Sequence, residues 1–107
     1  MENNEFFREQ LIVYLTIEGT PYTEVEVEIT DTNKTVRDEI DTIMQVYGLP
    51  KMDNGGNPVE YKLGKINENG EPEVMELEDE EGFEKVIGDY SIQKGDHLQI
   101  VSVVVAG

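Results

Sequence analysis

The spacing of apolar residues changes once along the chain, and this change constrains the fold more than any other feature of the sequence. Residues 11–17 form an apolar run rich in β-forming side chains, and residues 23–30 alternate strictly between apolar and acidic or polar positions. From Val36 to Tyr47, apolar side chains instead recur at i, i+4, i+7, i+8 and i+11, the spacing of one helix face. The sequence therefore predicts a β-hairpin followed by a helix.

The predicted helix covers residues 33–47, and its flanks set these limits. Thr32 or Thr35 supplies a hydroxyl that caps the first turn, and Gly48 followed by Pro50 ends the helix. Because the preceding hairpin has an apolar face that needs cover, we expect the helix to pack on that face rather than on a partner.

The second half of the chain predicts three further strands. Residues 59–63 alternate, residues 74–77 form a weaker strand, and residues 97–103 form the last one. A loop around residues 54–57 separates the helix from the first of these strands, and a turn at residues 67–70 separates the first from the second; both contain asparagine and glycine. The predicted fold class is therefore α+β, with a mixed sheet of four or five strands packed on one helix.

This fold is expected to form one domain over residues 11–107. Residues 1–10 are predicted to be a flexible arm, because only Phe6 and Phe7 could anchor it. The side chains expected in the core are Leu11, Val13, Leu15, Val25, Val27, Ile40, Ile43, Met44, Leu98 and Ile100.

The order of elements and three local sequences resemble the ubiquitin-like, or β-grasp, family over residues 11–107. The local matches are Glu26-Val27-Glu28 before Asp31-Thr32, Tyr47-Gly48-Leu49-Pro50 after the helix, and the segment from Asp89 to Lys94. The chain departs from ubiquitin in a longer region at 51–82 and in a tail that lacks both arginines and the penultimate glycine. The resemblance implies the β-grasp fold, which carries no catalytic machinery of its own.

The resemblance also implies a candidate binding surface. In a β-grasp sheet the first and last strands are parallel central neighbours. We therefore expect Ile12 and Tyr14 to lie beside Val101 and Val103, on the face that the helix leaves open. Together with Tyr61 they are predicted to form an apolar cluster, ringed by glutamates, that binds a partner protein.

Charge narrows the class of partner. The net charge is −16, from 24 acidic and 8 basic residues. Such a field repels phosphate backbones and anionic lipids and favours encounter with a basic protein, so neither nucleic acid nor a membrane is expected as a partner. The absence of cysteine and of a signal peptide predicts a cytoplasmic protein, and we expect a monomer or a weak homodimer.

The sequence offers no recognisable catalytic or metal-binding constellation. His97 is the single histidine, there is no cysteine, and Ser91 and Ser102 have no partner base at a recognisable spacing. The acidic stretch 71–84 matches no calcium-binding loop, so it is interpreted as a solvated surface. We expect a protein that is not an enzyme and that needs neither cofactor nor metal.

Two functions remain open. One is a protein-interaction module that binds through the uncovered sheet face. The other is a modifier or carrier that an activating enzyme conjugates through the carboxylate of Gly107. We favour the module, because Val103-Val104-Val105 continues the last strand, whereas a transferable tail should be flexible and polar.

Overall fold

The computed structural model of the protein describes residues 10–104. Its elements are β1 (Leu11–Ile17), β2 (Val25–Ile29), α1 (Val36–Tyr47), β3 (Val59–Ile66), β4 (Pro72–Val74), a 3₁₀ helix (Ile87–Tyr90) and β5 (His97–Val104). The five strands form one sheet in the order β2-β1-β5-β3-β4. Strands β1 and β5 are parallel, and the other neighbours are antiparallel. This mixed sheet with one helix confirms the predicted α+β, ubiquitin-like β-grasp architecture.

The ends of α1 follow from local hydrogen bonds. At its start, Thr35 Oγ1 accepts the N–H of Asp38 at 3.0 Å. The helix does not extend back to residue 33, because Lys34 donates its N–H to the carbonyl of Asp31 in a separate turn. At its end, Gly48 takes the left-handed conformation, with φ at 65°, which a residue without a Cβ adopts most easily.

The core lies between α1 and one face of the sheet. Of the side chains predicted for it, six are buried: Val13, Leu15, Ile40, Ile43, Leu98 and Ile100. The other four, Leu11, Val25, Val27 and Met44, are partly buried and pack against that cluster. The structure adds Ile17, Ile29, Val36, Leu63, Met75 and Ile87 to the buried set. The core therefore draws on α1, on every strand but β4, on Met75 directly after β4 and on Ile87 at the start of the 3₁₀ helix.

Strand β4 lies earlier than predicted, at residues 72–74 instead of 74–77, and contacts outside the sheet hold the residues that follow it. The hydroxyl of Tyr90 accepts the N–H of Glu76 at 2.7 Å and lies 3.3 Å from the carbonyl oxygen of the same residue. The carbonyl of Leu77, the residue that the β3–β4 register would place opposite Tyr61, accepts the N–H of Lys85 at 2.9 Å instead of bonding to β3. The chain therefore turns away from the sheet directly after Met75.

Three turns share one hydrogen-bond pattern, at residues 53–57, 67–71 and 79–83. In each, the side-chain oxygen of a first Asp or Asn accepts the backbone N–H groups of the third and fifth residues. The fourth residue is glycine, with φ of 83°, 81° and 89° in the three turns. The bond from the N–H of Asn57 contributes most to lowering the pKa of Asp53. These acidic and amide side chains thus stabilise their own turns.

Replacement of Ile40 by alanine tests the packing of α1. Ile40 is 6% exposed, and deleting buried methyl groups leaves a cavity, so we expect a loss of about 2–5 kcal/mol in the free energy of unfolding. The measurement is equilibrium urea unfolding. Val46 is the matched control on the same helix, since it is 68% exposed, and Val46→Ala should change stability by less than about 0.5 kcal/mol. Equal effects of the two changes would contradict the packing described.

Replacement of Tyr90 by phenylalanine tests the contact that holds the segment after β4. The change keeps the ring and removes the hydroxyl bound to the backbone of Glu76. We expect a loss of about 1 kcal/mol in urea unfolding, together with faster hydrogen exchange at the amide of Glu76. Tyr22→Phe, at a ring that is 38% exposed, is the control and should leave both quantities unchanged. Unchanged exchange at Glu76 in the Tyr90 variant would show that the hydroxyl does not hold this segment.

Candidate protein-binding surface

The open face of the sheet, opposite α1, carries two separate groups of side chains instead of the single predicted cluster. Strand register decides this, because Tyr14 pairs with His97 and Thr16 pairs with Gln99. Val101 lies four residues beyond His97 along β5, which corresponds to about 13 Å. The expectation that Val101 and Val103 lie beside Ile12 and Tyr14 was therefore wrong.

The physical reason is the way in which β5 enters the sheet. The N–H of Gly95 donates to the carbonyl of Ile12 at 2.8 Å, and the N–H of Tyr14 donates to the carbonyl of Asp96 at 2.9 Å. From this start, β1 and β5 run in the same direction and pair residue by residue. The last pair joins Ile17 to Ile100, so the residues of β5 after Ile100 extend past the end of β1.

The first group, which we call the tyrosine patch, consists of Ile12, Tyr14 and His97. The rings of Tyr14 and His97 are 5.4 Å apart between centroids, at an interplanar angle of 30°. Ile12 and Tyr14 are half-buried and His97 is exposed. Because the patch lies on the two central strands, its backbone is held by hydrogen bonds on both sides.

The second group, the valine patch, consists of Val101 and Val103. Both pair with β3 rather than with β1: Val101 lies opposite Lys62, and Val103 lies opposite Glu60. Val103 is 42% exposed, and Val101 is half-buried. Only the β3–β5 register brings Lys62 and Glu60 here.

Tyr61 lies on the other face of the sheet, contrary to the prediction. It pairs with Ser102, between two pairs whose side chains are on the open face. Its hydroxyl donates to the carbonyl of Pro50 at 2.6 Å, and the residue packs against the core. Burial raises the pKa of the Tyr61 phenol, as expected for a side chain withdrawn from water.

Acidic side chains border the tyrosine patch on the β2 side. Glu26 lies opposite Tyr14, and Glu28 lies opposite Ile12. The carboxylate of Glu24 is 3.7 Å from His97 Nδ1. No basic residue takes part in these pairings, whereas the valine patch has Lys62 as a direct neighbour. The tyrosine patch is thus the more strongly acidic of the two.

Other predicted features cannot be located on this surface. Gly107, the predicted conjugation residue, lies outside the described residues, and so does the predicted arm apart from Gln10. Within residues 10–104, no group of three or more histidine, aspartate or glutamate side chains is placed to hold a metal ion. In the same part of the chain, no helix has the length and apolar character needed to cross a lipid bilayer.

Comparisons with known proteins leave the family open. No protein-family model matches the chain, and no curated protein is significantly similar to it in sequence. The identification with the ubiquitin-like family therefore stays a prediction, carried by the β-grasp architecture and by the local sequences described above.

The placement of Tyr61 generates a test by titration. Its pKa in the folded protein is raised above the ordinary value of 10.0, so the unfolded chain loses this proton first as the pH rises. The stability associated with the protonated phenol is therefore present below about pH 10 and is lost as the pH rises through the folded-state pKa. NMR titration of the tyrosine ring carbons should show Tyr61 ionising above pH 10, and Tyr61→Phe should remove that signal. Ionisation of Tyr61 at or below 10 would place the phenol in water.

Proposed function

We propose that the protein is a non-catalytic, ubiquitin-like interaction module that binds a basic partner protein through the open face of its sheet. The tyrosine patch is the observation that supports this function most directly. It presents an aromatic pair and an aliphatic side chain on a sheet face that no other element of residues 10–104 covers. Aromatic side chains of this kind are the common anchors of protein interfaces.

The rigidity of the surface favours binding. Both strands under the patch are central in the sheet, so their backbone is ordered before a partner arrives. A preformed surface loses little conformational entropy on association, and more of the contact energy then contributes to affinity.

An interface of ordinary size can include both patches. A partner contact of standard size covers about 800 Å² on each side, which is wide enough to span both the tyrosine patch and the valine patch. We therefore place the tyrosine patch at the centre of the contact and the valine patch towards its edge.

Charge defines the chemistry of the partner. With a net charge of −16 and a row of glutamates along β2, the surface favours a partner with lysine or arginine around an apolar centre. Such steering weakens with salt, because the screening length falls from about 10 Å at 0.1 M to about 3 Å at 1 M. A basic partner should accordingly associate more slowly at high salt.

Two single substitutions test the proposal. A protein retained on the immobilised chain from a cell extract is identified and purified, and its Kd is measured by calorimetry. Tyr14→Asp should weaken binding about 30-fold, the loss of one anchor side chain, and Val101→Asp should weaken it several-fold less. Val46→Asp adds the same charge on the exposed side of α1 and should leave the Kd within twofold. Wild-type affinity in both sheet-face variants would move the binding site elsewhere.

Deletion of Gly107 separates this function from conjugation. The interaction module predicts no covalent adduct of the protein in its native cells and an unchanged Kd after the deletion. A modifier would instead give higher-mass, protein-linked species on blots, and these species would disappear in the deletion variant. That outcome would replace the proposed function.

A further inference from the structure

The outer edge of β3 has no strand partner along its middle. The N–H of Val59 donates outward to Lys51 at 2.9 Å, and the carbonyl of Leu63 accepts the N–H of Met75 at 2.8 Å. Backbone groups of every second residue in a strand point to the same side, so the N–H and C=O of Tyr61 also point outward. Within residues 10–104, no strand pairs with Tyr61 on this side.

The segment after β4 leaves this edge open. If β4 continued, Leu77 would lie opposite Tyr61, but its carbonyl accepts the N–H of Lys85 at 2.9 Å, so the chain after Met75 does not continue along β3. The result is a cleft of about 460 Å³ between β3 and the segment 74–79. A second hollow of about 240 Å³ adjoins it between α1 and β3.

The two sides of this edge differ in chemistry. On the helix side, Ile40 and Leu77 line both hollows with apolar surface. The rim of the cleft carries four carboxylates, those of Glu60, Glu76, Glu78 and Asp79, against the two cations of Arg37 and Lys62.

The charge of Arg37 is already matched. Its guanidinium lies 3.2 Å from the carboxylate of Glu84 and 3.3 Å from that of Glu78. Lys62 is then the rim cation without an ion pair among the described residues, against the carboxylates of Glu60, Glu76 and Asp79. The rim therefore favours a cationic ligand.

We propose that the β3 edge at Tyr61 is a second protein-binding site, which accepts a short extended segment of a partner as an added strand with the pattern basic–apolar–basic. The residue opposite Tyr61 exchanges two main-chain hydrogen bonds with it and directs an apolar side chain towards Ile40 and Leu77. Its two neighbours point to the opposite side of the strand, the side of Glu60 and Lys62, and their cationic groups meet the acidic rim.

The same reasoning disfavours a second copy of this chain as the occupant. Each copy carries a net charge of −16, so two copies repel each other at an edge that already has an acidic rim. The length of the open edge also limits the ligand. From Val59 to Leu63 it spans about 13 Å, which is room for three to five residues of an extended peptide.

The test uses the full chain labelled with ¹⁵N and the peptide acetyl-Ser-Lys-Val-Lys-Ser-amide. Binding should move the amide proton of Tyr61 downfield and slow its hydrogen exchange at least tenfold. Two control peptides separate main-chain hydrogen bonding from charge attraction. One is methylated on the valine nitrogen, and the other has glutamates in place of the lysines. Each should bind at least tenfold more weakly than the parent peptide.

A pair of variants tests whether the carboxylates of the cleft rim attract the peptide. Glu76→Lys reverses a rim carboxylate while leaving the backbone of residue 76 free to bond to Tyr90, and it should weaken the peptide at least fivefold. Glu68→Lys makes the same charge change in the turn 67–71 and should alter binding less than twofold. The Tyr14→Asp variant should bind the peptide as the wild type does, because Tyr14 lies on the open face and not at the β3 edge. The peptide test is therefore independent of the function proposed for the open face.

Several outcomes would overturn the proposal. They are an unchanged Tyr61 amide at millimolar peptide, shifts confined to the tyrosine patch, equal binding of the N-methylated peptide, and equal effects of the Glu76 and Glu68 variants. Concentration-dependent dimerisation that protects the Tyr61 amide without peptide would assign the edge to a second copy.

Discussion

The parallel pairing of β1 with β5 is the contact on which the rest of the structure depends. It joins the two ends of the described chain at the centre of the sheet, through the hydrogen bonds of Ile12 with Gly95 and Tyr14 with Asp96. The same register sets Leu15 beside Leu98 in the core. It also sets Tyr14 beside His97 on the open face, so core and surface are placed by one pairing. A shift of one residue would exchange the two faces of β5.

The segment after β4 has a comparable influence at the opposite edge of the sheet. The Tyr90 hydroxyl binds the backbone of Glu76, the carbonyl of Leu77 accepts the N–H of Lys85, and this segment leaves β3 after Met75. The cleft beside β3 is a direct consequence. An exposed strand edge invites aggregation, and here carboxylates line that edge, which disfavours pairing between identical chains while leaving a basic segment admissible.

The candidate site was only partly predictable from the residues. Alternation along β5 correctly placed Val101, Val103 and His97 on one face, because side chains of a strand alternate strictly. Which of them adjoin Tyr14 depended on the length of the turn before β5, and alternation carries no information on that. Tyr61 shows the same limit: it was assigned to the open face, and the register opposite Ser102 places it on the helix side.

The sequence by itself determined the fold class, the order of the elements and most of the core, because the period of the apolar residues is a local property. It also contains the signal of three turns, an Asp or Asn followed three residues later by glycine, of which the turn at residues 79–83 was not predicted. Tertiary structure alone decided the strand register, the division of the open face into two patches and the early end of β4. Each of these arises from contacts between residues distant in the chain, such as the hydrogen bond of Gly95 with Ile12, whose partners no local pattern specifies.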